Sequence, residues 1–368
     1  MRKEPVKIHL PECPICGQPT NKTNTHLVPW FLIKETVTEK GTGLRDKQLT
    51  FTISPGNRVR LHAGRGVLPE PLEELHEDHD LEPAPEDEFA RDHLWCASRE
   101  DKVSHLEAIF SDVFTDERLL QQPEDLHPYH GQRIFIDEKF HPSLYRLFVH
   151  SIFWRCSVGR FDGFRLELPI EKKLLENVQT AFSVPGFERT KKKEGLPIVH
   201  SFPLITSYLG FDEGADVTAY HVSTNQMRWP YMVVAARWVF QLFEKEKHIR
   251  STNEYLYGLR DALDSAGLYP QIKGTSHAVL VNSEDSKRFV EGLRKEITDA
   301  TLREEMKGAR RVTRGLFEQA FKSSPKREHE DFVVGRFVVH RREGKPPLES
   351  CELALKDLAS AMGLPFAS

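Results

Sequence analysis

Val103, Leu106, Ile109, Phe110, Val113 and Phe114 recur at three- and four-residue steps, a spacing that predicts an amphipathic helix. Ser98 is its expected cap, because Glu100 and Asp101 then fall in the first turn, where the helix dipole favours acids. Leu144 to Val158 is apolar on most sides and predicts the central helix of the core. A further helix is expected from Glu171 to Phe182, and Lys191, Lys192 and Lys193 mark an exposed turn. Strand patterns are shorter. Gln48 to Ile53 alternates and ends in the turn signal Ser54-Pro55-Gly56-Asn57, and Arg133 to Ile136 predicts a second strand. Residues 196–240 alternate strand-like runs with turns and lead into the apolar stretch Tyr231 to Phe243. The last hundred or so residues predict two charged helices, Ser286 to Asp299 and Thr301 to Ser323. A strand, Phe332 to Val339, and a terminal helix, Glu349 to Met362, follow them. The fold class read from this pattern is α+β.

One stretch resists burial. From Pro69 to Asp92 the chain is rich in Glu, Asp and proline and poor in apolar residues, which predicts a solvated insertion. His76, Glu77, Asp78, His79 and Asp80 inside it are read as solvated loop residues rather than a metal site.

Composition narrows the partners. The chain has 368 residues and a formal net charge of −4, so nucleic-acid binding would need a local basic face. No run has the length of a membrane span, and the first residues lack the apolar core of a signal peptide. Five cysteines in a chain this long do not form a disulfide framework. The expectation is a cytoplasmic protein with bound zinc and no membrane partner.

The chemistry concentrates near the N-terminus. Cys13 and Cys16 form a Cys-x2-Cys knuckle, and Gly17 behind it lets backbone amides fold toward the sulfurs. One knuckle supplies half of a tetrahedral zinc site. His93 and Cys96, in His93-Leu94-Trp95-Cys96, are the expected other half, closing everything between as a metal-clipped loop. Cys156 and Cys351 read as packing cysteines, and Trp154 and Arg155 as core and its edge. The Lys- and Arg-bearing C-terminal helices interleave Glu and read as a solvated face.

The knuckle, then Thr25-His26-Leu27-Val28-Pro29, then Leu94-Trp95-Cys96 at a helix entry, follows the order of parts in HNH endonucleases. It more closely resembles a bacterial HNH-like, defence-associated group with a Ser-His-Ile-Ile-Pro segment, acidic residues on the following helix, and a Ser-hydrophobic-hydrophobic-Trp-Arg segment. Here those would be Glu100 and Glu107, and Ser151 to Arg155. The resemblance covers roughly residues 8–180.

The resemblance implies a zinc-clipped ββα-metal-like unit joined to a larger, mostly helical domain. It implies His26 as general base, Glu100 as ligand to a catalytic Mg or Mn ion, and Asn57 as the residue orienting the histidine. Arg58 or Arg60 would clamp phosphate, and the partner would be DNA. Two positions depart from the pattern. Thr25 stands where an acidic metal ligand is usual in HNH sites, and Arg99 stands where the fourth zinc cysteine belongs. The residues alone also allow Glu100 as a plain helix-start acid and His26 as a zinc ligand or structural histidine. Two functions follow as expectations: metal-dependent hydrolysis of DNA, in bacterial defence, or a catalytically decayed, zinc-stabilised scaffold acting through a protein partner. The domain expectation is 1–118 for the HNH-like unit with its insertion at 69–92, 119–268 for the core domain, and 269–368 for a C-terminal extension.

Overall fold

The computed structural model describes residues 11–23, 25–32, 49–54, 58–63, 90–115, 126–129, 132–136, 141–161, 164–210, 221–224, 230–251, 277–321 and 324–363. The elements in chain order begin with β1 (Thr25–His26), the hairpin of β2 (Leu49–Ser54) and β3 (Arg58–Ala63), β4 (Ala90–Arg91) and α1 (Ala97–Thr115). Next come β5 (Leu126–Tyr129), β6 (Gln132–Ile136), α2 (Pro142–Val158) and α3 (Leu168–Phe182). Then follow β7 (Leu204–Leu209), β8 (His221–Thr224), β9 (Tyr231–Ala236), β10 (Trp238–Leu242), α4 (Glu246–Ser251) and β11 (His277–Val281). Three helices close the chain: α5 (Ser283–Phe321), α6 (Arg327–Arg342) and α7 (Pro347–Ala361). The class is mixed α+β. No helix among the described residues is long and apolar enough to cross a membrane.

The chain divides into two compact units. One comprises Met1–Thr52 and Val59–Leu293, the other Ile53–Arg58 and Arg294–Ser368, so a boundary falls within α5.

In the first unit α2 is the hub. Pro142 starts it and His141 caps it, accepting a hydrogen bond from the Ser143 backbone N–H. From Leu144 to Ser157 every residue but Arg146 is buried, as its all-round apolar pattern requires. Phe148 stacks on Phe110 of α1 with ring centroids 4.6 Å apart. A seven-stranded sheet, ordered β5-β6-β11-β7-β10-β9-β8, supplies the other wall. Its neighbours are antiparallel except β11 and β7, which run parallel. Register aligns Tyr208, Trp238 and Ala235 in one row and Thr206, Phe240 and Val233 in the next. Because strand side chains alternate, these rows share one face, and their large apolar members join the core with α1 and α2. Trp238 packs edge-on against Phe114 at 4.5 Å and donates its indole N–H to the Phe114 carbonyl at 2.9 Å. Residues 119–268, expected to be mostly helical, thus contribute six of the sheet's strands besides α2 and α3.

His150 sits fully buried on α2, its Nδ1 accepting a hydrogen bond from the Asn177 amide at 3.1 Å. Burial first, then the Arg146 and His200 charges, push its pKa down to about 3. The folded protein therefore keeps it neutral while the unfolded chain takes up a proton below about pH 6.5. Stability should fall as pH drops below that value, by roughly 1.4 kcal/mol per pH unit from this residue. Urea midpoints between pH 7 and 5 check this, and His150→Gln should flatten the slope by that amount.

In the second unit α6 corrects the strand expected at Phe332 to Val339. The Val-rich run suggests a strand by propensity. Burial at Glu330, Val333, Val334, Phe337 and His340 has the helical period instead, and Val333 and Phe337 pack with Ala354 and Leu358 of α7. The two helices expected over Ser286 to Asp299 and Thr301 to Ser323 are one continuous α5, since Asp299-Ala300-Thr301 holds no residue that stops a helix. Asn282 caps it, its side-chain oxygen accepting from the Asp285 N–H at 2.8 Å. Paired arginines brace the unit: Arg341 makes two bonds to Glu305 at 2.7 and 3.2 Å, and Arg314 two to Glu330 at 3.0 and 2.8 Å.

Candidate metal centre and the adjoining carboxylate cluster

The knuckle closes through local backbone bonds. Gly17 N–H donates to the Cys13 carbonyl at 2.8 Å, and Cys13 N–H donates to the Gln18 carbonyl at 2.7 Å. The turn needs φ of +71° at Gly17, a value a side chain would resist. Far along the chain, Cys96 accepts the first backbone bonds of α1, from the Arg99 and Glu100 N–H groups at 3.0 and 3.1 Å. Cys96 thus takes the cap position that the sequence suggests for Ser98.

Cys13, Cys16 and Cys96 come together, their sulfurs all within 4.8 Å of one another, and none is in a disulfide. Cys16 Sγ and Cys96 Sγ lie 3.6 Å apart. A tetrahedral zinc with Zn–S bonds of about 2.3 Å separates its sulfurs by about 3.8 Å, so the spacing suits a metal such as zinc. Protonation fits that use. Burial pushes the Cys16 thiol up, but hydrogen bonds from the Gln18 backbone, Arg99 and the other two cysteines outweigh it and bring it down to about 7. Burial, reinforced by the two neighbouring cysteines, pushes Cys96 up to about 11. A metal must therefore displace a proton from Cys96 at neutral pH.

His93 stands outside this group. Its backbone N–H donates to the Lys22 carbonyl at 2.8 Å, and its Nδ1 lies 2.8 Å from the Thr20 carbonyl. Arg99 offers the group no ligand atom; its side chain instead helps lower the Cys16 pKa.

The group is pinned to α3. Gln179 donates to the Pro14 carbonyl inside the knuckle at 2.7 Å. Lys102 and Arg99 both donate to the Phe182 carbonyl, at 2.6 and 3.3 Å, placing positive charge at the helix's C-terminal end.

A second cluster lies one turn into α1. β1 pairs antiparallel with β4, Thr25 opposite Arg91 and His26 opposite Ala90. Thr25 is fully buried and donates its hydroxyl to Glu100 Oε2 at 3.2 Å. Burial raises the Glu100 pKa; the Arg155 charge opposes that rise, and Glu107 adds to it. Arg155, 1% exposed, donates through Nη1 to the His26 carbonyl at 2.8 Å and through Nε to the Ser151 carbonyl at 3.3 Å. The same Nη1 lies 2.7 Å from Glu107 Oε1, a charge contact without hydrogen-bond alignment. The half-buried His26 ring packs on Trp30 at 5.4 Å.

The structure therefore gathers Cys13, Cys16 and Cys96 into one group and Glu100, Glu107, Thr25 and the His26 backbone into another. Asn57 lies outside the described residues, as do His76 to Asp80 and the bulk of the acidic insertion. Arg58 and Arg60 lie on β3, with their side chains outside the described set. Arg155 is the member that sequence reasoning leaves at the core's edge. Its one local signal is a lone cation between Trp154 and Cys156 in an apolar run. No family model matches this chain, and neither the curated proteins nor the solved structures contain a match to it.

Proposed function

We propose that residues 11–115 form a zinc-clipped ββα-metal-like unit that hydrolyses DNA phosphodiester bonds, in a bacterial defence setting. The observation that carries this reading is the Thr25–Glu100 contact at 3.2 Å. It sets the strand residue next to His26 against the first-turn carboxylate of a helix whose start belongs to the cysteine group. In the resemblance, His26 is the general base, the Thr25 position an acidic metal ligand, and Glu100 a ligand to the catalytic ion.

The residues have suitable chemistry. Cys13, Cys16 and Cys96 would hold zinc and fix the knuckle to the start of α1. Glu100 is a desolvated carboxylate whose raised pKa marks charge left short of compensation, the condition a hard cation relieves. A Mg or Mn ion there would stabilise the charge developing on a scissile phosphate. His26, half-buried at the strand end, would take the proton from the attacking water. Glu107 and Arg155 balance one another beside it.

A second reading, a decayed scaffold subunit acting through a protein partner, has an observation of its own. Thr25 brings a neutral hydroxyl where a second carboxylate would bind the ion, and Arg155 already supplies buried positive charge. Glu100→Gln separates the two readings. Under the first, cleavage of plasmid and oligonucleotide DNA with Mg or Mn should fall by about a hundredfold or more in the variant. Equal cleavage by both would take Glu100 out of the catalytic site, and cleavage absent from both, with zinc in place, would favour the scaffold.

A further inference from the structure

β1 is two residues long and, among the described residues, pairs only with β4. So short a strand holds little orientation of its own, yet it carries His26. The end of α2 meets it at consecutive points. Arg155 Nη1 reaches the His26 carbonyl at 2.8 Å, and Cys156 Sγ lies 3.8 Å from the Leu27 carbonyl. Gly159, just past α2, accepts through its carbonyl from Arg91 Nε at 3.0 Å, and Arg91 is the β4 residue paired with Thr25. Both strands of the ribbon are thus held by one helix end. Gly159 also lets the approach happen, since a Cβ there would lie 2.3 Å from Leu27 Cδ2.

Burying a guanidinium is costly unless its charge is paired and its donors are used, and an apolar side chain would fill the volume more cheaply. What the arginine adds is direction: a charge-assisted bond to the one carbonyl adjoining the histidine ring, held in place by Glu107 and the Ser151 carbonyl. At 1% exposure it is screened from substrate, so it acts through its neighbours: by a directed bond on the His26 main chain and by charge on Glu100 and Glu107.

We propose that Arg155 is the positioning residue of His26, clamping the histidine's main chain to α2 so that the imidazole keeps one orientation, with Gly159 seating the same strand. This rests on the reading of His26 as general base. It predicts a division of kinetic effects: loss of Arg155 should lower kcat while KM changes little, because the arginine touches no substrate.

The test follows the His26 ring by NMR in histidine-labelled full-length protein, the signal assigned with His26→Ala. Arg155→Met keeps volume without donors, Arg155→Lys restores one charged donor, and Gly159→Ala presses on the strand with the guanidinium intact. The His26 ring signal should shift and broaden in Arg155→Met and Gly159→Ala and recover in part in Arg155→Lys, while zinc content and the His200 signal stay as in the parent. DNA cleavage, where the parent shows it, should fall about a hundredfold in kcat for Arg155→Met. An unmoved His26 signal in folded Arg155→Met overturns the proposal, whatever the parent cleaves. If that variant does not fold, Arg155→Lys decides: a His26 signal identical to the parent's overturns the proposal, because a single-headed ammonium cannot reproduce the guanidinium's bond, and a shifted one supports it. A moved ring in a parent that cleaves no DNA would keep the clamp and remove the nuclease reading.

Discussion

Cys96→Ser should lose the bound metal and melt the protein well below the parent. Cys16 and Cys96 are 80 residues apart in sequence, so a metal joining them closes a long loop. By analogy with a covalent cross-link, closing a loop of that length removes chain entropy from the unfolded ensemble worth about 4–5 kcal/mol. Zinc content should drop from about one ion per chain to near zero, as one thiolate of the three is gone. A loss of that size should lower Tm by roughly 8–15 °C in a unit of this scale. Cys156→Ser and Cys351→Ser are the controls. Neither thiol belongs to the group, and burial pushes Cys156 up to about 12, leaving it inert. Metal analysis and calorimetry on the three variants check this. Unchanged zinc and Tm in Cys96→Ser would remove the metal clip from the account.

The second large effect is expected at Trp154. Its ring lies 4.6 Å from that of Trp95, and both are buried. Trp95 directly precedes Cys96 of the cysteine group, and Trp154 directly precedes Arg155, so one aromatic pair backs both clusters. Trp154→Ala should cost about 3–5 kcal/mol through the cavity it leaves, read as a shift in the urea midpoint. It should also weaken zinc binding, because Trp95 loses the surface that holds it. Trp95→Phe should behave otherwise. The Trp95 indole N–H is buried without a hydrogen-bond partner, so the phenyl ring removes an unsatisfied donor while keeping much of the packing. A change within about 1 kcal/mol is expected there. Equal destabilisation by both substitutions would mean that packing between the rings is not what supports the site.

The parts of this arrangement that the sequence discloses are those set by local periodicity. α1 and α2 follow from apolar residues at helical spacing, and the knuckle follows from Cys-x2-Cys-Gly. Cys96 is legible as a partner because a metal-binding knuckle demands one. The rest depends on contacts that no window along the chain contains. The sheet gathers β11 between β6 and β7, a neighbour relation set by shared core residues rather than by strand propensity. α6 reads as a strand because Val-Val and Phe-Val-Val favour extended backbone, until the packing of Val333 and Phe337 with Ala354 and Leu358 of α7 decides it. Arg155 looks like an edge residue because its acceptor, the His26 carbonyl, is 129 residues away. His93 shows the reverse: the His-x2-Cys spacing promises a ligand, and the fold turns its Nδ1 toward the Thr20 carbonyl.

The most direct test of the central claim is DNA cleavage by the parent and His26→Ala at matched zinc content. Both would be incubated with single- and double-stranded DNA in the presence of magnesium or manganese. The account predicts cleavage by the parent and a loss of about a hundred- to ten-thousandfold in the variant, the usual worth of a general base. Equal cleavage by the two proteins would contradict it, and no cleavage by either, with zinc in place, would leave the scaffold as the function of the unit.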